Sequence, residues 1–361
     1  MRHITMTDLR AEFLVIESEV RTAIESVLQS QHFILGPEVE AFESEFASFC
    51  GVEHCVGVSS GTEALVLALS ACGIGRGDEV VVPANSFIAT AFAVCLLGAK
   101  PRFVDVDEAS SLMDVAQALS LLDRKIKAIC PVHLYGQTLD VRPLIDSAIP
   151  VIEDCAQAHG AEVEKSYKVG SLGAAGCFSF YPSKNLGAYG DAGALITNSA
   201  EVSRKARSER NYGRQGEYLH AELGRNARLD ALQAAILRVK LKQLAKWTER
   251  RQVIARRYQQ LLTTSVRCLP SNGVAHLFVI RIANRDDLRK KLEKVGIQTG
   301  IHYPLPAHLQ RCFSHLAYKE GSFPQAELQA KQALSLPIHP FLSDEDVEYV
   351  AEQVNKFAIA P

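Results

Sequence analysis

The chain has 361 residues, enough for two domains with sizeable cores. Hydrophobic residues make up 47%, which excludes a disordered chain, and the formal net charge of -2 gives no broad basic field to hold nucleic acid. The longest apolar run, residues 87–99 (FIATAFAVCLLGA), is too short to span a bilayer, so no membrane association is expected. The first ten residues, MRHITMTDLR, are polar and lack the apolar core of a secretory leader. The nine cysteines are scattered, odd in number and without a CxxC pair. That pattern points away from a disulfide framework and toward a reducing cytoplasm. No metal site is expected. His302, His308 and His315 lie close in sequence, but loop or substrate roles suit them better than ligation.

Taken in chain order, strands and helices alternate. Residues 54–59 read as a strand, 62–72 as a helix, 79–83 as a strand and 88–97 as a buried helix. A strand at 102–106, a helix at 112–122 and strands at 128–132 and 151–153 follow. This is the rhythm of an α/β domain with a mainly parallel sheet, whose ligands gather beyond the carboxyl ends of the strands. The stretch from Leu229 to Leu262 has helical periodicity with Lys and Arg on the opposite face. Its length predicts a bend near Lys242, which sets the expected domain boundary: 1–242 as a large α/β domain with an N-terminal arm, 243–361 as a small α+β domain. In the second part, a strand is expected at 276–282 and helices at 286–295 and 344–357.

Four clusters carry polar chemistry. In VSSGTE (58–63) a strand runs through Ser-Ser-Gly-Thr into a helix, whose free N–H groups attract phosphate; the local pattern alone favours a plain helix cap. The glycines of GIGRGD (73–78) lie between a helix and a strand and read as a helix stop. In VIEDCAQAHG (151–160), Asp154 sits at the end of an apolar strand. It suits a cationic ring nitrogen, a metal, or the cap of a following helix. In GCFSFYPSKNLGAYGDAG (176–193), Lys184 follows an apolar strand and precedes a Gly-rich loop. An enclosed amine there would attack a carbonyl to form a Schiff base; the local pattern alone favours an exposed turn lysine. Finally, GRNARLDALQ (224–233) forms the polar start of the long helix.

Together these segments resemble the DegT/StrS-type nucleotide-sugar aminotransferases, within the fold-type I pyridoxal-phosphate (PLP) enzymes. The matching motifs are SGTEALVLAL, GDEVVVPANSFIAT, VHLYGQ, VIEDCAQAHGA, GCFSFYPSKNLGAYGDAG, RNYG, NARLDALQAAILRVKL and IHYPLPAHLQ, in one order from about Thr7 to Phe357. The resemblance implies a large domain with a mainly parallel seven-stranded sheet between helices and a smaller C-terminal α+β domain. It implies that Lys184 holds PLP as an imine and shuttles the proton, that Asp154 pairs with the pyridine nitrogen, and that Gln157 contacts the ring's phenolic oxygen. Phe87 would stack on the ring, and Ser60, Gly61, Thr62 and Ser179 would bind the phosphate. Asn226 would reach the phosphate of a neighbouring subunit, making a homodimer the working unit. L-Glutamate would convert the cofactor to its amine form, PMP, which would then aminate a keto nucleotide-sugar. The loop TGIHYPLPAHLQ (299–310) is similar to members acting on the 3-keto position of dTDP-6-deoxyhexoses, with Tyr181, His220, His302 and Tyr303 as substrate contacts.

Departures from the family pattern are Arg225 and Ala227 flanking Asn226, Ala192 in GDAG, and a short helix before Val151. Competing readings are a 4-keto-sugar aminotransferase, a non-catalytic PLP-binding regulatory protein, and a related sugar dehydratase. Lys184 argues against the last, in which histidine replaces the lysine. A nicotinamide-dependent oxidoreductase lacks its GxGxxG after the first strand.

Overall fold

The computed structural model describes residues 2–164, 166–216 and 218–358. The strands of the first two-thirds are β1 (His54–Val58), β2 (Glu79–Pro83), β3 (Lys100–Val104), β4 (Ile126–Ile129), β5 (Ile152–Asp154), the hairpin β6 (Glu162–Val163) with β7 (Tyr167–Lys168), β8 (Ala175–Ser179) and β9 (Gly193–Thr197). Two hydrogen-bonded runs, β1-β9-β8-β5 and β3-β2-β4, are joined by parallel bridges Ile129–Val151 and Val132–Asp154. They form a seven-stranded sheet in the order β1-β9-β8-β5-β4-β2-β3. Only β9 runs against its neighbours; the pairs β5/β8, β2/β3 and β2/β4 are parallel. The Val-rich β2, buried at every residue, shows why: a strand covered on both faces has no alternation.

The helices are α1 (Leu9–Ser30), α2 (Pro37–Cys50), α3 (Gly61–Ala71), α4 (Ala89–Leu96), α5 (Val115–Ser120), α6 (Arg142–Ile145), α7 (Ala200–Glu209), α8 (Ala231–Leu241), α9 (Leu244–Leu261), α10 (Arg285–Lys294), α11 (Pro324–Gln332) and α12 (Asp344–Ala358). Helix α3 is apolar on all sides because it is enclosed, with Ala64 through Leu69 buried in succession between the sheet and α4 and α7. The expected long helix is two: it stops at Leu241, and α9 starts at Leu244. The helix expected at 112–122 shortens to Val115–Ser120, because Asp114 caps it by accepting from the Gln117 amide. No helix follows Asp154; residues 156–160 form turns, so the capping role open to that carboxylate in the sequence is not met.

Beyond α9, strands β10 (Arg267–Cys268), β11 (Phe278–Arg281) and β12 (Ala333–Leu336) make a small antiparallel sheet. Its core joins Ile254 and Tyr258 of α9 to Phe278, Ile280, Leu334 and Val350, and Ile4 of the N-terminal arm packs into it. Among the described residues no helix is long and apolar enough to cross a membrane, and all nine cysteines are free.

Candidate active site

A cavity of about 740 Å³ opens where the sheet's strand ends meet the segments from α9 onward. Its wall takes residues from five parts of the sequence: the arm (Met6, Thr7), the start of α3 (Ser60, Gly61, Thr62), the loop before α4 (Ser86, Phe87), the ends of β5 and β8 with the following loops, and the C-terminal part. The carboxyl ends of β1, β2, β5 and β8 face one space because parallel strands deliver their carboxyl termini to the same edge of a sheet.

Helix α3 prepares one wall. The first N–H groups of a helix have no intrahelical partner, and the Ser60 hydroxyl takes only that of Glu63, at 3.2 Å. The amides of Gly61 and Thr62 thus face the cavity with the positive end of the helix dipole. The backbone is packed too tightly here for side chains. A Cβ on Gly61 would lie 2.6 Å from the Ser179 Cβ, and one on Gly193 would lie 2.3 Å from the Ser60 carbonyl carbon. Cap and anion cradle are therefore one structure, and Ser179 lies against it from β8.

Asp154, the last residue of β5, is buried and faces the cavity. Burial raises its pKa; the Thr90 hydroxyl, donating at 2.7 Å, and the Ala156 amide, donating at 3.1 Å, oppose that rise. A carboxylate held this way suits a cationic partner that supplies the missing positive charge. Gln157, three residues on, accepts from the Tyr135 amide at 2.6 Å and donates to the Tyr303 hydroxyl at 3.1 Å.

Lys184 lines the same cavity rather than an exposed turn. Burial lowers its pKa to about 8, with the Asp154 charge opposing the fall. Near neutrality the amine is then neutral in roughly one molecule in ten, against fewer than about one in a thousand for an exposed lysine. This is the state needed for attack on a carbonyl. The loop carrying it is fixed on both sides. The Lys184 amide bonds to the Tyr181 carbonyl at 2.8 Å, and Asn185 donates to Val274 O at 3.1 Å and meets His276 Nδ1 at 3.1 Å.

Of the other expected contacts, Phe87 and Tyr181 stand at the cavity, each more than half exposed. His302 and Tyr303 also line it; burial lowers the His302 pKa to about 4, and its Nδ1 meets the Ser335 hydroxyl at 2.8 Å. Asn226 and His220 do not line this chain's cavity. Asn226 bridges Asn211, and His220 Nδ1 meets the Tyr212 carbonyl at 2.8 Å on an exposed segment. Arg225, the departure beside Asn226, pairs with Glu63 of α3 at 3.0 Å. The three histidines of the C-terminal loop do not converge: His302 bonds Ser335, while His308 bonds Glu327 at 3.1 Å. A buried trio of His133, Glu153 and Cys155 has ligand-like spacing. Its imidazole and carboxylate already bond each other at 2.9 Å, and Glu153 also accepts from the amides of Gly170 and Gly173.

Sequence reasoning missed Thr90, Tyr135, Arg251 and His276. Thr90 and Tyr135 lie inside the motifs GDEVVVPANSFIAT and VHLYGQ but were given no role, whereas Arg251 and His276 reach the cavity through tertiary packing.

A strand-end carboxylate facing a partly neutral lysine, beside an anion-binding helix start, defines a site for a phosphorylated, carbonyl-bearing cofactor with a cationic ring. The chain belongs to the DegT/DnrJ/EryC1/StrS aminotransferase family, whose family model matches residues 15–355. It is 44% identical to a UDP-N-acetyl-3-dehydro-alpha-D-glucosamine 3-aminotransferase of Acidithiobacillus ferrooxidans, over 98% of this chain and 97% of the relative. It is 43% identical to the dTDP-3-amino-3,6-dideoxy-alpha-D-galactopyranose transaminase of Aneurinibacillus thermoaerophilus, over 98% and 99% of the two chains. The crystal structure of S. venezuelae DesV in complex with a ketimine intermediate matches with a TM-score of 0.96 at 40% identity, covering 100% of both chains.

Proposed function

We propose that this protein is a PLP-dependent transaminase that moves an amino group from L-glutamate to the 3-keto position of a nucleotide-linked sugar, with a dTDP-6-deoxyhexose as the favoured acceptor. The observation that carries this reading is the joint placement of Lys184, Asp154 and the α3 N-terminus around one cavity. The acceptor class rests on relatives named for 3-amino products, on both dTDP and UDP carriers.

The residues fit the cofactor. Gly61, Thr62, Ser60 and Ser179 would hold its phosphate, Asp154 its cationic ring nitrogen, Gln157 its phenolic oxygen, Phe87 its ring face and Lys184 its carbonyl carbon. When bound, PLP supplies an electron sink for the carbanion formed as a C–H bond of the amino acid breaks. Asp154 would keep the ring nitrogen protonated, and the Thr90 hydroxyl, by donating to it, favours that carboxylate's ionised form. Lys184, as a neutral amine, would take the proton from the donor's α-carbon and return a proton in the second half-reaction. The nitrogen passes from glutamate, leaving 2-oxoglutarate, to the sugar, whose carbonyl oxygen departs as water. Tyr181, His302 and Tyr303, which line the cavity, would contact the sugar.

The working unit in this reading is a homodimer in which Asn226 completes the neighbouring subunit's phosphate site. The division falls at the α8–α9 break: residues 1–242 make the cofactor domain and 243–361 the small domain. A cytoplasmic setting suits nucleotide-sugar substrates. Steady-state transfer from glutamate to a panel of 3-keto and 4-keto nucleotide sugars tests the proposal. Turnover confined to 4-keto acceptors would replace it with the 4-amino reading.

A further inference from the structure

Arg251 of α9 has no part in the cofactor assignments above, yet it lines the same cavity as Lys184. It is 6% exposed, which for a guanidinium normally requires a paired carboxylate. None pairs with it among the described residues. The acid that acts on its charge, Glu12, is itself paired with Lys240. One nitrogen, Nη1, donates to the Ile338 carbonyl at 2.8 Å and reaches the His276 carbonyl at 3.5 Å. The remaining guanidinium nitrogens make no hydrogen bond to a described residue. Two carbonyl oxygens thus hold the fork, and no carboxylate of a described residue lies within ion-pair distance of it.

A buried cation at a cavity wall, held in place by neutral acceptors and short of a counter-ion, is arranged for an incoming anion. The setting limits the size of that anion. Phe87 and Tyr181 are 54% and 55% exposed, whereas Arg251 is 6% exposed, reaches the His276 carbonyl and also lines a smaller adjoining pocket with Thr7 and Ser183. A carboxylate fits such a corner, and a planar guanidinium matches a carboxylate with two parallel hydrogen bonds.

We infer that Arg251 is the anchor for a carboxylate of the amino donor and so sets the enzyme's preference for an amino acid as nitrogen source. This rests on the transaminase reading above. The position also favours alternation: once the oxo acid leaves, the sugar, which carries no carboxylate, uses the more exposed part of the cavity. An anionic diphosphate from the nucleotide-sugar is the other source of a matching charge, and separate half-reactions distinguish the two.

The test uses the PLP-loaded holoenzyme, with Arg251→Lys and Arg251→Gln compared with wild type for the glutamate half-reaction alone, followed by cofactor absorbance, and then for amination of the sugar by PMP-loaded enzyme. The expected result is a KM for L-glutamate raised about tenfold or more in Arg251→Gln, with partial recovery in Arg251→Lys and little change in the sugar half-reaction. Comparing L-glutamate with L-glutamine locates the contact: equal losses place the α-carboxylate on Arg251, and a loss specific to glutamate places the side-chain carboxylate there. An unchanged glutamate KM in both variants overturns the inference, as does a defect confined to the sugar half-reaction, which assigns Arg251 to the diphosphate. If Arg251→Gln does not fold, Arg251→Lys carries the comparison. Failure of wild type to transfer nitrogen from any donor is a different result and strikes the transaminase reading itself.

Discussion

The Thr90 hydroxyl donates to Asp154 Oδ2 at 2.7 Å, the shortest tie between the start of α4 and the carboxylate at the end of β5. Ser86 stands behind it, 3.1 Å from the Thr90 oxygen. Burial raises the Asp154 pKa and the Thr90 bond opposes it, so the hydroxyl sets how far down the pH scale the site keeps its negative charge.

Thr90→Val removes the donor and keeps the shape. With the ionised form required for activity, activity falls as pH drops through the Asp154 pKa. Loss of a bond that lowers this pKa must move the acid limb of kcat/KM to higher pH. The expected variant folds with a cost of about 1–2 kcal/mol and shows that shift. A limb that stays in place in a pH–rate profile removes Thr90 from the mechanism.

In the protein without cofactor, Lys184 titrates near 8, below the 10.5 of a free lysine. Between those values the unfolded chain binds more protons than the native one, so the Lys184 contribution to stability rises with pH across that window. Denaturant titrations of wild type and Lys184→Met at several pH values between 7 and 10.5 should show the wild type gaining on the variant as pH increases. A constant difference would mean the amine is not desolvated.

Gly193→Ala places a methyl group against the Ser60 carbonyl carbon, and Gly61→Ala places one against Ser179. Backbone does not yield as a flexible side chain does, so Gly193→Ala should cost about 1–3 kcal/mol and weaken PLP retention by disturbing the α3 N-terminus. Urea unfolding and PLP titration read the two effects; wild-type values in both would show that the cradle has slack.

The strands and the Lys184 and Asp154 motifs were legible because their signals are local: apolar runs for buried strands, and a polar residue where such a run ends. Helices α1, α2 and α7 and strand β9 carried no comparable mark against their surroundings. Helix α2 owes its position to Glu43, which accepts from the Gly57 amide at 2.8 Å and pairs with Arg207 and Arg210 of the α7 region, more than 160 residues away in sequence. Arg251 and His276 reach the cavity only because α9 and the segment leading into β11 pack beside the sheet's strand ends, which no sequence period records. The split between α8 and α9 was readable from length alone, since Leu229 to Leu262 exceeds an ordinary globular helix.

If Asn226 acts across a dimer interface, inactive variants should complement. Subunits carrying Lys184→Ala and Asn226→Ala, mixed and allowed to exchange, place both defects in one site of the mixed dimer and leave the other site intact. Recovery of about a quarter of wild-type activity is expected from random pairing. No recovery, with mixed dimers demonstrated by native mass spectrometry, would contradict a site shared across the interface.

The central claim is that the Lys184 amine bonds the cofactor's carbonyl carbon. Wild-type protein saturated with PLP, reduced with borohydride and digested should yield one peptide carrying the phosphopyridoxyl mass, with fragmentation placing it on Lys184. The same treatment of Lys184→Ala should yield none. A stable adduct on a different lysine, in protein that still transfers nitrogen from glutamate, would contradict the account.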